Sequence, residues 1–218
     1  MTSSAYTPTV SHSTPATDGL LVSYLTLRRI VGILGVALPV VLALWGFALC
    51  ACIKLEPSIS DYYSIRPRDA LVGFLFAIAS FLFTYTGYER KDAVAGKLAC
   101  VFALGVALFP NSGTGFEKTV HYVSAASLFL VLAYFSLFLF TKSAGARTRK
   151  KEQRNIVYRV CGVVMLVCIG AIAVYQSLLS DTFIASWKPV FWLEALALWA
   201  FGISWFIKGE TLLKDQPQ

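Results

Sequence analysis

Six long apolar stretches, with basic residues crowded into alternate connections between them, constrain this chain more than any other feature. The stretches run over Ile30–Ile53, Ala70–Tyr88, Leu98–Pro110, Val120–Thr141, Ile156–Gln176 and Pro189–Ile207. Most approach the ~20 residues a helix needs to cross the hydrocarbon of a bilayer. The pattern predicts an all-α fold: an integral membrane bundle of six transmembrane helices.

Composition excludes the soluble alternative. Hydrophobic residues make up 57% of the 218 residues and charged ones 14%, too little polar surface to cover a water-soluble globule of this size. A soluble all-helical domain would also need polar stripes at helical spacing, and Leu128–Phe140 and Cys161–Val174 have none.

Orientation follows from the 19 Lys and Arg. Thirteen fall on the two terminal flanks and the second and fourth connections, from Arg28 to Lys214. Five, Lys54, Arg66, Arg68, Lys118 and Lys188, fall on the opposite connections, and Arg159 lies within the fifth span. The positive-inside bias then puts both termini in the cytoplasm. The net charge of +7 needs no nucleic acid. The run Arg147–Arg154 reads as a topology determinant touching anionic lipid, and no aromatic residues interleave with it to stack on bases.

The domain plan has three parts: residues 1–19 a disordered cytoplasmic tail rich in Ser, Thr and Pro, 20–208 the six-helix transmembrane domain, and 209–218 a short cytoplasmic tail. Asp18 offers a cap to a helix that begins in the interfacial layer, with Arg28 and Arg29 at headgroup level. All five cysteines, Cys50, Cys52, Cys100, Cys161 and Cys168, lie within spans, where a free thiol packs as a small apolar group. They form no disulfide framework or zinc pattern, and neither a metal nor a cofactor is expected.

Lipid does not drive apolar helices together, so small residues must let the backbones approach. Ala95, Ala99, Ala103 and Ala107 form a stripe in the third span, which is expected to sit centrally. Gly73 and Ala77, and Gly162 and Gly170, predict flat patches on the second and fifth. Pro39 removes a donor from the first span and predicts a bend, while Trp199 and Trp205 lie deep enough for their indole donors to need partners.

Chemistry-capable residues segregate to the side opposite the basic flanks. The first outer connection, Ser58–Asp69, is dense in Ser, Tyr and charge. Asp69 opens the second span, His121 the fourth, and Glu194 lies about one and a half turns into the sixth. An unpaired carboxylate at that depth costs several kcal/mol, so Glu194 should face inward toward His121, Arg66, Arg68 or Lys188. Each residue also has a plainer reading: Glu194 reaching the headgroups and water, His121 capping a helix, Asp69 as an acid favoured at a helix N-terminus, and Ser60-Asp61 as a turn pair. Convergence of three outer ends favours a shared pocket. The candidate ligand-binding residues are Arg66, Arg68, Asp69, His121 and Glu194, and the candidate catalytic residues Ser60, Asp61 and His121.

The segments Glu56–Tyr63 with Arg68-Asp69, Gly87–Asp92, Ala95–Ala99 and Ala107–Pro110, continued by His121-Tyr122 and Ala133–Phe135, resemble a group of uncharacterised bacterial six-span integral membrane proteins. More distantly, the plan is similar to the Frag1/DRAM/Sfk1 group, which implies a part in lipid remodelling or membrane organisation. The chain departs from the ceramidase-like hydrolases, since its membrane region holds one His and a catalytic zinc takes three protein ligands.

These features favour a protein that binds a lipid or headgroup in an outward-facing polar pocket. A non-enzymatic role is preferred; as an enzyme it would be a lipid hydrolase or transferase, with Ser60 as nucleophile, His121 as base and Asp61 or Asp69 orienting it. A non-catalytic membrane scaffold or sensor is one alternative, and a small proton-coupled transporter using Glu194 is another. The expected partners are membrane lipids and no nucleic acid, with a homo-oligomer or another membrane protein as further contacts.

Overall fold

The computed structural model describes residues 15–50, 55–87, 89–142, 148–179 and 183–209. All regular structure among them is helical: α1 Pro15–Cys50, α2 Arg68–Phe83, α3 Arg90–Leu108, α4 Gly115–Tyr134, α5 Arg149–Leu178 and α6 Pro189–Lys208. Two short 3₁₀ turns, Ser60–Ser64 and Phe183–Trp187, lie in the connections after α1 and α5. A π turn, Phe135–Leu139, extends α4, closed by the Phe140 N–H donating to the Phe135 carbonyl at 2.8 Å. Four segments are long and apolar enough to cross a membrane: Tyr24–Ala48, Gly115–Leu139, Arg149–Leu178 and Pro189–Lys208. The helix of α2 has only 16 residues, and α3 carries Arg90, Lys91, Asp92 and Lys97, so neither meets that standard, and four of the six expected spans do among the described residues.

Boundaries follow local chemistry where hydropathy was blind to it. Instead of starting at Leu98, α3 begins at Arg90, because Glu89 and Asp92 form a reciprocal capping box that satisfies the first backbone donors. Thr114 and Glu117 do the same for α4. The Thr148 hydroxyl accepts from the Lys151 N–H and starts α5 seven residues before the apolar run, so the basic segment from Arg149 is helical. Gly87 takes a φ of +63°, a left-handed turn open to glycine, and its N–H donates to the Tyr24 hydroxyl. Residues 15–19, expected in the disordered tail, belong to α1; residues 1–14 of that tail, Cys52, and residues 210–218 of the second tail lie outside the described residues.

The six helices close into a ring, each packed on its sequence neighbours and α6 on α1. Of the four membrane-length segments α6 is the most enclosed, and it also touches α4. The third helix, expected at the centre, packs mainly between α2 and α4. Its alanine stripe is nevertheless buried throughout. The backbones of α1 and α6 cross closely, where a Cβ on Gly32 would lie 2.7 Å from the Gly202 carbonyl oxygen, and one on Gly202 would lie 2.6 Å from that of Gly32. Gly162 packs tightly against Leu137, but Gly73 and Gly170 face open space, so the flat patches expected there are not contacts within the bundle. α1 is continuous through Pro39, and the Trp199 indole donates to the Val36 carbonyl at 3.2 Å, one turn before it.

Alternating helix direction sorts the polar groups to two ends. At one end the Ser60–Ser64 turn meets the end of α3 and the starts of α2, α4 and α6. At the other, Arg28 of α1 meets the end of α6 and the Tyr85 ring that follows α2.

Candidate functional site

At the Ser60 end, residues 55–67 fold back over the bundle and dock on α6. The Pro57 carbonyl accepts from the Phe191 N–H at 3.0 Å, satisfying a donor in the first turn of α6. Tyr62 is fully buried and packs its ring against Phe191. The Ser58 hydroxyl accepts from the Asp61 N–H at 3.1 Å, so Ser58 caps the turn that carries Ser60.

His121, 1% exposed, is the hub. Its Nδ1 lies 2.7 Å from the Phe109 carbonyl oxygen, and its Nε2 lies 3.0 Å from the Ser60 Oγ. A carbonyl can only accept, so Nδ1 carries a proton. In the neutral imidazole Nε2 is then an acceptor facing Ser60, whose hydroxyl has one proton to give, either to Nε2 or to the Glu194 carboxylate. This is the tautomer a general base needs toward a serine hydroxyl. Ser124, one turn further along α4, is also buried against the space Gly105 leaves.

Glu194 reaches the same turn from α6. Its carboxylate accepts from the Ile59 N–H at 2.6 Å and faces the Ser60 backbone N–H and hydroxyl, so it competes with His121 for the one Ser60 hydroxyl proton. The cations expected beside Glu194 give way to backbone donors at the start of a short helical turn, which favour a negative group for the same reason a helix N-terminus does. The same donors are the ones an oxyanion would use, and Glu194 already occupies them. Ser60 therefore has a positioned base but no vacant oxyanion site.

Asp61 does not orient His121 by a hydrogen bond; the Phe109 carbonyl does. The Asp61 carboxylate instead accepts from Asn111 Nδ2 at 2.6 Å and acts on the imidazole through space. Arg68 lies over the Tyr63 ring at 4.5 Å and donates to the Tyr63 hydroxyl at 3.2 Å, while that hydroxyl donates to the Leu108 carbonyl at 3.2 Å. Arg66 and Asp69 are exposed at the rim. The structure thus joins Ser60, His121 and Glu194, sets Asp61 beside them, and leaves Arg66, Arg68 and Asp69 around the edge. Among the described residues no group of three His, Cys, Asp or Glu could hold a metal ion.

Sequence reasoning missed Asn111, Tyr63 and the Phe109 carbonyl. Asn111 sits in a Pro110–Gly113 turn whose composition signals only a turn, and a main-chain carbonyl has no sequence signature at all. No family model, curated protein or solved structure matches the chain.

Proposed function

We propose that this chain is a six-span protein of the bacterial inner membrane, with both termini cytoplasmic, that binds a lipid headgroup at its outward end. The observation that carries this reading is the buried His121 linking Ser60 to the end of α3. It fixes the polar connection Ser58–Asp69 as a surface of set shape instead of a mobile loop. Arg66 and Arg68 at its rim supply guanidinium groups suited to a phosphate. The lipid-remodelling role that a distant resemblance of the six-span plan to the Frag1/DRAM/Sfk1 group would imply is of the same kind. Native mass spectrometry of the protein extracted with its lipids tests it: His121→Ala and Glu194→Ala should each lose the lipid that the wild type retains. Wild-type retention in both variants overturns the reading.

One observation favours a second reading, a lipid hydrolase or transferase: the 3.0 Å approach of Ser60 Oγ to the acceptor nitrogen of His121. A serine so placed should react with a fluorophosphonate probe in membranes, and Ser60→Ala and His121→Ala should each abolish the labelling. Absence of labelling at Ser60 in the wild type removes this reading and leaves binding. The occupied oxyanion donors make binding the better supported of the two.

A further inference from the structure

A groove runs down the outer face of the bundle between α3 and α4, at the end opposite the Ser60 site. It encloses about 640 Å³, with Val94, Ala95 and Leu98 of α3 on one side, Leu130 and Tyr134 of α4 on the other, and Arg90 and Lys91 at its mouth. Helical spacing accounts for the shape. Positions 90 and 91, 94 and 95, and 98 follow one another along one face of α3, as 130 and 134 do along α4. Ala95, 5% exposed, offers only a methyl group, whereas Val94, Leu98, Leu130 and Tyr134, between 40% and 51% exposed, stand out around it. The Tyr134 ring is braced by that of Phe138 at 5.4 Å.

Charge distinguishes this groove from the remaining apolar surface. Arg90 and Lys91 are exposed where the groove opens at the start of α3. Glu89 and Asp92, which flank them in sequence, are engaged elsewhere: both bond to Lys142, at 3.0 and 3.3 Å, and together they cap α3. The mouth is therefore cationic and the walls below it apolar.

The dimensions point to the occupant. From Arg90 to Leu98 the groove descends about 12 Å along α3, close to half of the ~30 Å hydrocarbon core of a bilayer. Its volume lies within the ~300–1,000 Å³ of sites that enclose small ligands. A helix of a second copy, ~10 Å across, would meet the protruding Val94, Leu98, Leu130 and Tyr134 before it reached Ala95. An alkyl chain is thin enough to lie between them, and a phosphodiester at the head of that chain meets the two cations. We infer that the groove binds one anionic glycerophospholipid of the adjoining leaflet, an acyl chain lying over Ala95 and the phosphate at Arg90 and Lys91. The site shares no residue with the Ser60 end and does not depend on the reading of that end.

Phosphatidylglycerol with a diazirine in its acyl chain, at low mole fraction in phosphatidylcholine nanodiscs holding the full-length protein, should label peptides that carry Val94–Leu98 or Leu130–Tyr134. The diazirine analogue of phosphatidylcholine should label them far less. Arg90→Gln with Lys91→Gln should raise the phosphatidylglycerol needed for half-maximal labelling about fivefold per cation lost. Both positions are exposed and the capping box is untouched; if that variant nonetheless fails to insert, Leu130→Trp, which fills the groove without altering charge, should remove most of the labelling. Any labelling of the Ser58–Asp69 connection should be the same in wild type and variants, so the two sites succeed or fail separately. Equal labelling by the two lipids in the wild type, or undiminished labelling in whichever variant inserts, overturns the inference. A Leu98→Cys disulfide between two copies in a cysteine-free background also overturns it, since a second copy would then cover the groove.

Discussion

Glu194 meets the Ile59 N–H through an oxygen that a neutral amide also possesses. Glu194→Gln should therefore keep that bond and change stability by under ~1 kcal/mol, whereas Glu194→Ala leaves a partly buried donor unmet and should cost ~1–3 kcal/mol. Denaturation in detergent compares the two, and equal losses would mean the bond contributes little. His121→Ala removes the partner of both Phe109 and Ser60 in a buried place and should cost at least as much as Glu194→Ala. At the other end Lys142 pairs first with Glu89, at 3.0 Å, and then with Asp92, and these bonds hold its pKa above the ordinary 10.5. Because the folded value is raised, the stabilisation is complete below the ordinary lysine value and is lost as pH climbs through the raised one. Wild type should lose more melting temperature between pH 9 and pH 11.5, values chosen to span about that range, than Lys142→Met. Matching slopes would show that the pair does not couple to folding.

At the scale of elements, the crossing of α1 and α6 depends on two glycines that each lack room for a methyl group. Gly32→Ala or Gly202→Ala drives a Cβ into the opposing main chain, which cannot yield as a flexible side chain would, and should cost ~1–3 kcal/mol. Gly73→Ala, on a helix face with nothing within 4 Å, is the contrast: it should be neutral or stabilising by up to ~1 kcal/mol through helix propensity. Unfolding curves for the three variants check this directly. Gly32 and Gly202 lie far apart in sequence and belong to no repeated stripe, so nothing in either segment alone marks them as facing partners. The alanine stripe of α3 was legible because four small residues recur at helical spacing, yet its periodicity gives a face and not a neighbour. Helix starts at Arg90 and Arg149 were hidden for a related reason: capping polar residues lower the local hydropathy that a search for spans follows.

For the whole molecule, the proposed topology makes the two polar ends face different compartments. In a cysteine-free background, a cysteine at Ser64 should react with an impermeant thiol reagent in intact cells, and one at Lys150 only after permeabilisation. Labelling of the Lys150 position from outside would dissolve the outward pocket. The sequence by itself determined the helical class, the long apolar segments and the division of charge between alternate connections, because each depends on residues close together along the chain. It also supplied Ser60, His121 and Glu194 as candidates, since polar groups next to apolar spans stand out one at a time. Only the tertiary structure decided that Ser60 and Glu194 share one turn, that a Phe109 carbonyl rather than an aspartate orients His121, and that Arg28, Arg154 and Lys208 converge on one buried place. Those facts turn on distances between residues up to 180 positions apart, which are set by how helices cross and not by what any single helix contains.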